Sequence, residues 1–219
     1  MQLPELLDRA ISLLYPQRCM RCDGLVEYDD FFCDSCTGQT AGQVIIPFAH
    51  GLADVAAVYK YRGYGRGLVW AIKEGTPKRV RYILGYEMHA LLNERWGDVA
   101  FDMIVPVPAT KAKLEAKGFN HAELLAEPLG RMAGISVCPD ALVRVESSRV
   151  QHNLSRAERR ENAELSYQAG QADELAGKTV LLVDDLLTTG STLAACAERL
   201  LARGATAVYA LAGATTPSR

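Results

Sequence analysis

Apolar positions along this chain switch repeatedly between helical and strand-like spacing. Leu3, Leu6, Leu7, Ala10, Ile11 and Leu14 recur at threes and fours, which predicts an amphipathic helix stopped by Pro16. Residues 55–61 alternate as a strand does. Gly63, Gly65 and Gly67 then punctuate an arginine-bearing turn, with Arg62 and Arg66, ahead of a helix over 68–73. Residues 79–95 read as a longer helix with Ile83, Leu84, Met88, Leu91 and Leu92 inward. A short strand over 103–107, a helix over 120–132 and short strands over 135–137 and 142–145 follow. Ser155 and Glu158 have capping-box spacing for a short helix ending at Asn162. The apolar run 180–183 reads as a strand buried on both faces, followed by a helix over 192–202 and a strand over 207–211. Strands alternating with helices predict an α/β domain with an open, mainly parallel sheet and right-handed crossovers.

Charge adds little. A formal net charge of -2 over 219 residues draws the molecule neither to nucleic acid nor to an anionic membrane. Glu5, Asp8 and Arg9 interrupt the N-terminal apolar positions, which argues against a secretory signal peptide. No run approaches membrane-spanning length. The expectation is a cytoplasmic protein whose cysteines are reduced or metal-bound.

The cysteines divide into two kinds. Cys19-x-x-Cys22 and Cys33-x-x-Cys36 are two pairs, each able to form a tight turn aimed at one ion. Together they predict a structural zinc site with four cysteine ligands, with Arg18 and Arg21 favouring thiolates at the first turn. Two disulfides, or a redox Cys-x-x-Cys, are the competing readings. A segment this short cannot bury a core and depends on its metal. The expected division is therefore residues 1–43, a helix plus zinc module, and residues 44–219, the α/β domain. Cys138 and Cys196 sit in apolar contexts and read as small buried hydrophobes.

The densest chemistry is Val180-Leu181-Leu182-Val183-Asp184-Asp185-Leu186-Leu187-Thr188-Thr189-Gly190-Ser191-Thr192. Two carboxylates end a buried strand, where open α/β sheets bind ligands. A hydroxyl-rich tract then opens a helix, whose free N–H groups and dipole make a seat for phosphate. Carboxylates beside such a seat suit a sugar phosphate. A Walker-type loop fits less well, because no lysine follows Gly190. The competing reading gives the same residues only turn and capping roles.

This order resembles the 5-phosphoribosyl 1-pyrophosphate (PRPP) motif of type I phosphoribosyltransferases. The resemblance implies that Asp184 and Asp185 are the catalytic carboxylates, facing the ribose 2′ and 3′ hydroxyls. It implies that Thr188, Thr189, Gly190, Ser191 and Thr192 wrap the 5-phosphate. Further segments extend it: Ile104-Val105-Pro106-Val107-Pro108, then Lys117-Gly118-Phe119-Asn120-His121, then Arg144, Gln151, Leu154 and Arg159-Arg160-Glu161-Asn162. With the cysteine pairs, these resemble the ComF/GntX family, phosphoribosyltransferase-like proteins linked to bacterial competence for DNA uptake. The likeness covers roughly residues 6–208. The chain departs from the family pattern at Lys117, at His121 and at His152, and at Tyr167, where the family tends to carry phenylalanine.

By the same resemblance, the loop at Pro106, Val107 and Pro108 would hold pyrophosphate, and residues 144–160 would close over PRPP with Arg144, Arg149, Gln151 and Arg160. Guanidinium groups suit phosphate oxygens, although an arginine-rich stretch also reads as a solvated helix. Lys73 stands where the family has a lysine and reads as a weaker anion contact. Mg²⁺ would be held mainly by PRPP itself. His121 and His152 read equally as general bases or as uninvolved surface residues. The implied activity is Mg²⁺-dependent phosphoribosyl transfer to an unidentified acceptor. The alternative is a non-catalytic PRPP sensor or scaffold that binds single-stranded DNA or competence helicase and uptake proteins. Tyr59, Tyr61, Arg62, Tyr64 and Arg66 offer the basic and aromatic interleaving such binding uses. No cysteine follows Met1, so glutamine-derived ammonia is not part of the expected chemistry. The sequence leaves the oligomeric state open.

Overall fold

The computed structural model describes residues 18–19, 24–26, 33, 35, 51–75, 78–145, 166–170 and 175–216. The expected helices near residues 3–14 and 155–162 lie outside these. The chain divides into two compact units, Met1–Ala41 and Gly42–Arg219. In the first, Arg18 and Leu25 form an antiparallel bridge, and the Cys19 amide donates to the Gly24 carbonyl at 2.6 Å. Cys19 is itself buried.

The larger unit holds a four-stranded sheet in the order β1 (Asp54–Lys60), β6 (Ala207–Thr215), β5 (Thr179–Leu187), β2 (Met103–Pro106). All three pairings are parallel, so the expected α/β class with an open parallel sheet holds. Helices α1 (Gly63–Lys73), α2 (Lys78–Trp96) and α4 (His121–Ala133) share one side, with α2 packed on α4 and both reaching the sheet. Helix α5 (Ser191–Ala202) and a two-stranded antiparallel ribbon, β3 (Leu142–Arg144) with β4 (Tyr167–Ala169), cover the other. Leu193, Cys196, Ala197 and Leu200 form the buried stripe of α5, at the spacing an amphipathic helix requires. Each fully buried leucine or isoleucine contributes about 1.5–3 kcal/mol of apolar transfer.

Several elements differ from expectation, and the strand expected over 135–137 is only an isolated bridge of Val137 to Ile104. The glycine-rich segment expected as a turn is the first half of α1. A Cβ on Gly65 would lie 2.6 Å from the Lys60 carbonyl oxygen and from the Tyr59 Cβ. Glycine there lets the helix fold back tightly on β1 rather than breaking it. Strand β5 runs past the apolar residues to Leu187, because Asp184 and Leu186 continue the ladder opposite Ala212 and Ala214. A seven-residue helix, α3 (Lys111–Lys117), carries no apolar periodicity and buries none of its residues. Thr110 caps its start, left-handed Gly118 ends it, and Lys117 pairs with Glu74 at 3.2 Å.

The two tryptophans contrast. Trp96 is 5% exposed, packs edge-on against Phe101 and Tyr209, and donates its indole N–H to Asp54 Oδ2 at 2.9 Å. Trp70, on α1, is 61% exposed. Among the described residues, no helix is long and apolar enough to cross a membrane.

Candidate functional site

A cleft of about 230 Å³ opens at the carboxyl end of β5 and β2. This is where an open parallel sheet leaves room between diverging connections. Asp184 and Asp185 follow one another on β5, so their side chains leave opposite faces of the sheet. Both reach the cleft. Asp185 meets α1, where the Lys73 ammonium lies 3.2 Å from its Oδ2. Asp184 belongs to the side of Tyr167 and Cys196. Burial, then the neighbouring Asp185 charge, pushes the Asp184 carboxyl well above the ordinary carboxylate range. A carboxylate held this way gains when a cation arrives.

The expected phosphate seat follows directly. Gly190 takes φ 77°, a left-handed conformation that a side chain would strain, and its carbonyl accepts the Ala194 amide as α5 begins. The Thr189 and Ser191 hydroxyls bond each other at 2.9 Å, bracing the loop. No acidic residue occupies the first turn of α5. The helix dipole there therefore acts on the cleft unopposed by its own side chains. Thr188 and Thr192 line the cleft from this loop.

Val107 and Pro108 line the opposite wall with Ala109. Pro106 is the last residue of β2, paired with Val183, and is not part of the lining. Asn120 ties this wall to α4: its Nδ2 donates to the Val107 carbonyl at 3.0 Å, while its Oδ1 accepts the Ala122 amide at 3.2 Å. Arg144 projects from β3 and stacks its guanidinium 5.1 Å from the Tyr167 ring centroid. Both line the cleft. Arg149, Gln151 and Arg160 lie outside the described residues, as do His152, Cys22 and Cys36.

His121 also lines the cleft, against the edge of Phe119. Burial lowers its pKa, with Asp185 acting in the opposite sense. Lys113 and Tyr167 are not among the site residues the sequence predicts. Lys113 comes from α3, whose sequence has no apolar period to announce a helix. Tyr167 comes from a strand of only three residues. Of the aromatic and basic residues near β1, Tyr59 is buried against Tyr64, whereas Arg62 and Arg66 are exposed.

Two carboxylates, two lysines, one arginine and a helix N-terminus in one cleft suit a ligand with several phosphates and hydroxyls. Residues 114–217 match the family model of the phosphoribosyl transferase domain. The chain is 36% identical over 107 residues to the DNA utilization protein YhgH of Escherichia coli K12, covering 49% of this chain and 46% of that protein. It is 36% identical over 93 residues to Competence protein F of Haemophilus influenzae, covering 42% and 41%. The matched region thus spans less than half the length of these relatives. Among solved structures, a purine phosphoribosyltransferase of Pyrococcus horikoshii aligns with TM-score 0.39 at 15% identity, covering 62% of this chain and 84% of that one.

Proposed function

We propose that the chain is a member of the ComF/GntX family of phosphoribosyltransferase-like proteins, that it binds PRPP with Mg²⁺ in the β5 cleft, and that it transfers the phosphoribosyl group to an acceptor. The relatives named for DNA utilization and competence support a role in DNA uptake, and the cytoplasm is the compartment proposed for it. One observation carries the reading: adjacent carboxylates, a lysine and a hydroxyl-lined helix start share a single cleft. The loop at Thr188–Thr192 holds the 5-phosphate, and Asp185 and Asp184 orient the ribose hydroxyls.

In the reaction, the C1–O bond to pyrophosphate breaks and its electron pair leaves with pyrophosphate. The acceptor atom bonds to C1 and releases its proton. Lys73, Lys113 and Arg144 offset the charge that gathers on the leaving group. Asp184 and Asp185 face the ring as positive charge develops on it. Mg²⁺, when bound with PRPP, would add further neutralisation of the leaving group's charge. Asp184 is the carboxylate suited to share that ion, because Asp185 already has Lys73 as its cation.

Four cysteines in two Cys-x-x-Cys pairs suit a structural zinc. We assign that ion to Cys19, Cys22, Cys33 and Cys36.

The test is calorimetric titration of PRPP with Mg²⁺ into the wild type and into Asp184→Asn/Asp185→Asn, beside an assay for released pyrophosphate. Wild-type binding that weakens at least about tenfold in the double variant supports the reading. Binding without turnover for any acceptor favours a PRPP sensor. That second reading has its own support: exposed Arg62 and Arg66 lie on the same helix region as exposed Trp70, a combination that suits single-stranded DNA. Arg62→Ala/Arg66→Ala should then flatten the salt dependence of DNA binding.

A further inference from the structure

Tyr167 carries a hydroxyl that its surroundings do not use. The side chain is 1% exposed and sits in the core beneath α5. Antiparallel pairing of β4 with Arg144 on β3 fixes its backbone, and the Arg144 guanidinium caps its ring. The hydroxyl oxygen is buried, and no hydrogen bond of good geometry reaches it. Its neighbours are the Thr192 side chain, in the first turn of α5, and Asp184. A phenylalanine would fill the same space without burying a polar atom. Leaving a buried hydroxyl unpaired is costly, so it calls for a physical reason.

We propose that the Tyr167 hydroxyl donates a hydrogen bond to the 5-phosphate of the bound ligand, beside Thr192, and so completes the phosphate seat from the ribbon side. The inference rests on the PRPP reading of the cleft. The residue lines the cleft together with Thr188 and Thr192, and an anion is drawn to the start of α5. Burial raises the phenol pKa to about 12, so at neutral pH the group keeps its proton and acts as a donor. Arg144, stacked on the same ring, sets a positive charge over the donor. A hydrogen bond to a charged phosphate oxygen is stronger than one to a neutral group. The seat would then draw on two elements far apart in sequence, the loop before α5 and the β3–β4 ribbon. A loop built from Thr188 to Thr192 alone would lack this second arm.

The experiment compares wild type with Tyr167→Phe by calorimetry, using Mg²⁺–PRPP and, separately, ribose 5-phosphate, which keeps the 5-phosphate but lacks pyrophosphate. Melting of both ligand-free proteins is measured alongside. The expected result is a loss of about tenfold or more in affinity for both ligands. The ligand-free variant should melt at or above the wild-type temperature, since it sheds an unpaired polar atom. Unchanged affinities in the variant overturn the proposal while leaving the PRPP reading intact. A loss confined to PRPP also overturns it, because the contact would then serve the pyrophosphate end. A drop in melting temperature with unchanged affinities gives the hydroxyl a packing role instead. A wild type that binds neither ligand removes the PRPP reading itself, and this proposal with it.

Discussion

The Lys73 ammonium lies 3.2 Å from the Asp185 carboxylate, joining the last turn of α1 to the far end of β5. The pair is partly shielded, with the two side chains 35% and 13% exposed. Lys73→Met leaves Asp185 in a poorly solvated position without its cation. A loss of about 1–3 kcal/mol is expected, read by urea unfolding. If the cleft takes PRPP, the same variant should also weaken Mg²⁺–PRPP binding. A variant as stable as the wild type would mean that water replaces the lysine at no cost.

Asp184 should lower the stability of the ligand-free protein. Its folded pKa lies well above its ordinary value of 3.8, through burial and then through Asp185. As pH rises past that ordinary value, the unfolded chain loses the proton before the folded one does, and stability falls. Asp184→Asn escapes this fall. We expect it to melt above the wild type at pH 8, with the gap closing toward pH 4. Each kcal/mol corresponds to about 2–4 °C for a chain of this size. A variant that melts lower at pH 8 would contradict the assignment of a strained carboxylate.

His121 gives the opposite pH dependence. Burial lowers its folded pKa below 6.5, opposed by Asp185 and reinforced by Lys113 and Lys73. Above the unfolded value both states are neutral, and the full contribution is present. As pH falls, the unfolded chain takes up the proton first, and stability declines until the folded pKa is passed. His121→Gln should therefore flatten the loss of melting temperature between pH 7 and pH 5. Parallel melting curves for the two proteins across that window would refute it.

The N-terminal module should carry one zinc. Metal analysis of purified protein is expected to give one equivalent, and a strong chelator should release it and expose Cys19, Cys22, Cys33 and Cys36 to alkylation together. Protein that lacks zinc, with those four thiols already reactive while folded, would exclude the site.

The most readable parts of the sequence were those where local and global preferences agree. The β5–α5 unit declared itself because an apolar run, two acids and a helix start follow one another without a gap. Its strand proved longer than the apolar run, since ladder pairing across Asp184 and Leu186 depends on β6 rather than on hydropathy. Gly63, Gly65 and Gly67 read as a turn because glycine weakens helices in isolation; contact with β1 made a close-packed helix of them. Helix α3 was invisible, because nothing in its sequence has to face a core. The same limit hid Tyr167 and Lys113 as members of the site. A three-residue strand and an exposed helix leave no periodic trace, and their place at the cleft is set by the elements around them.

With only two tryptophans, the chain carries its own pair of optical reporters. Trp96, sealed among Phe101, Tyr209 and Asp54, should emit at shorter wavelength and shift red only when the sheet unfolds. Trp70, open to water one turn before Lys73, should emit farther to the red and respond to what happens around α1. Unfolding and events near the cleft can thus be followed by colour in a single unlabelled sample.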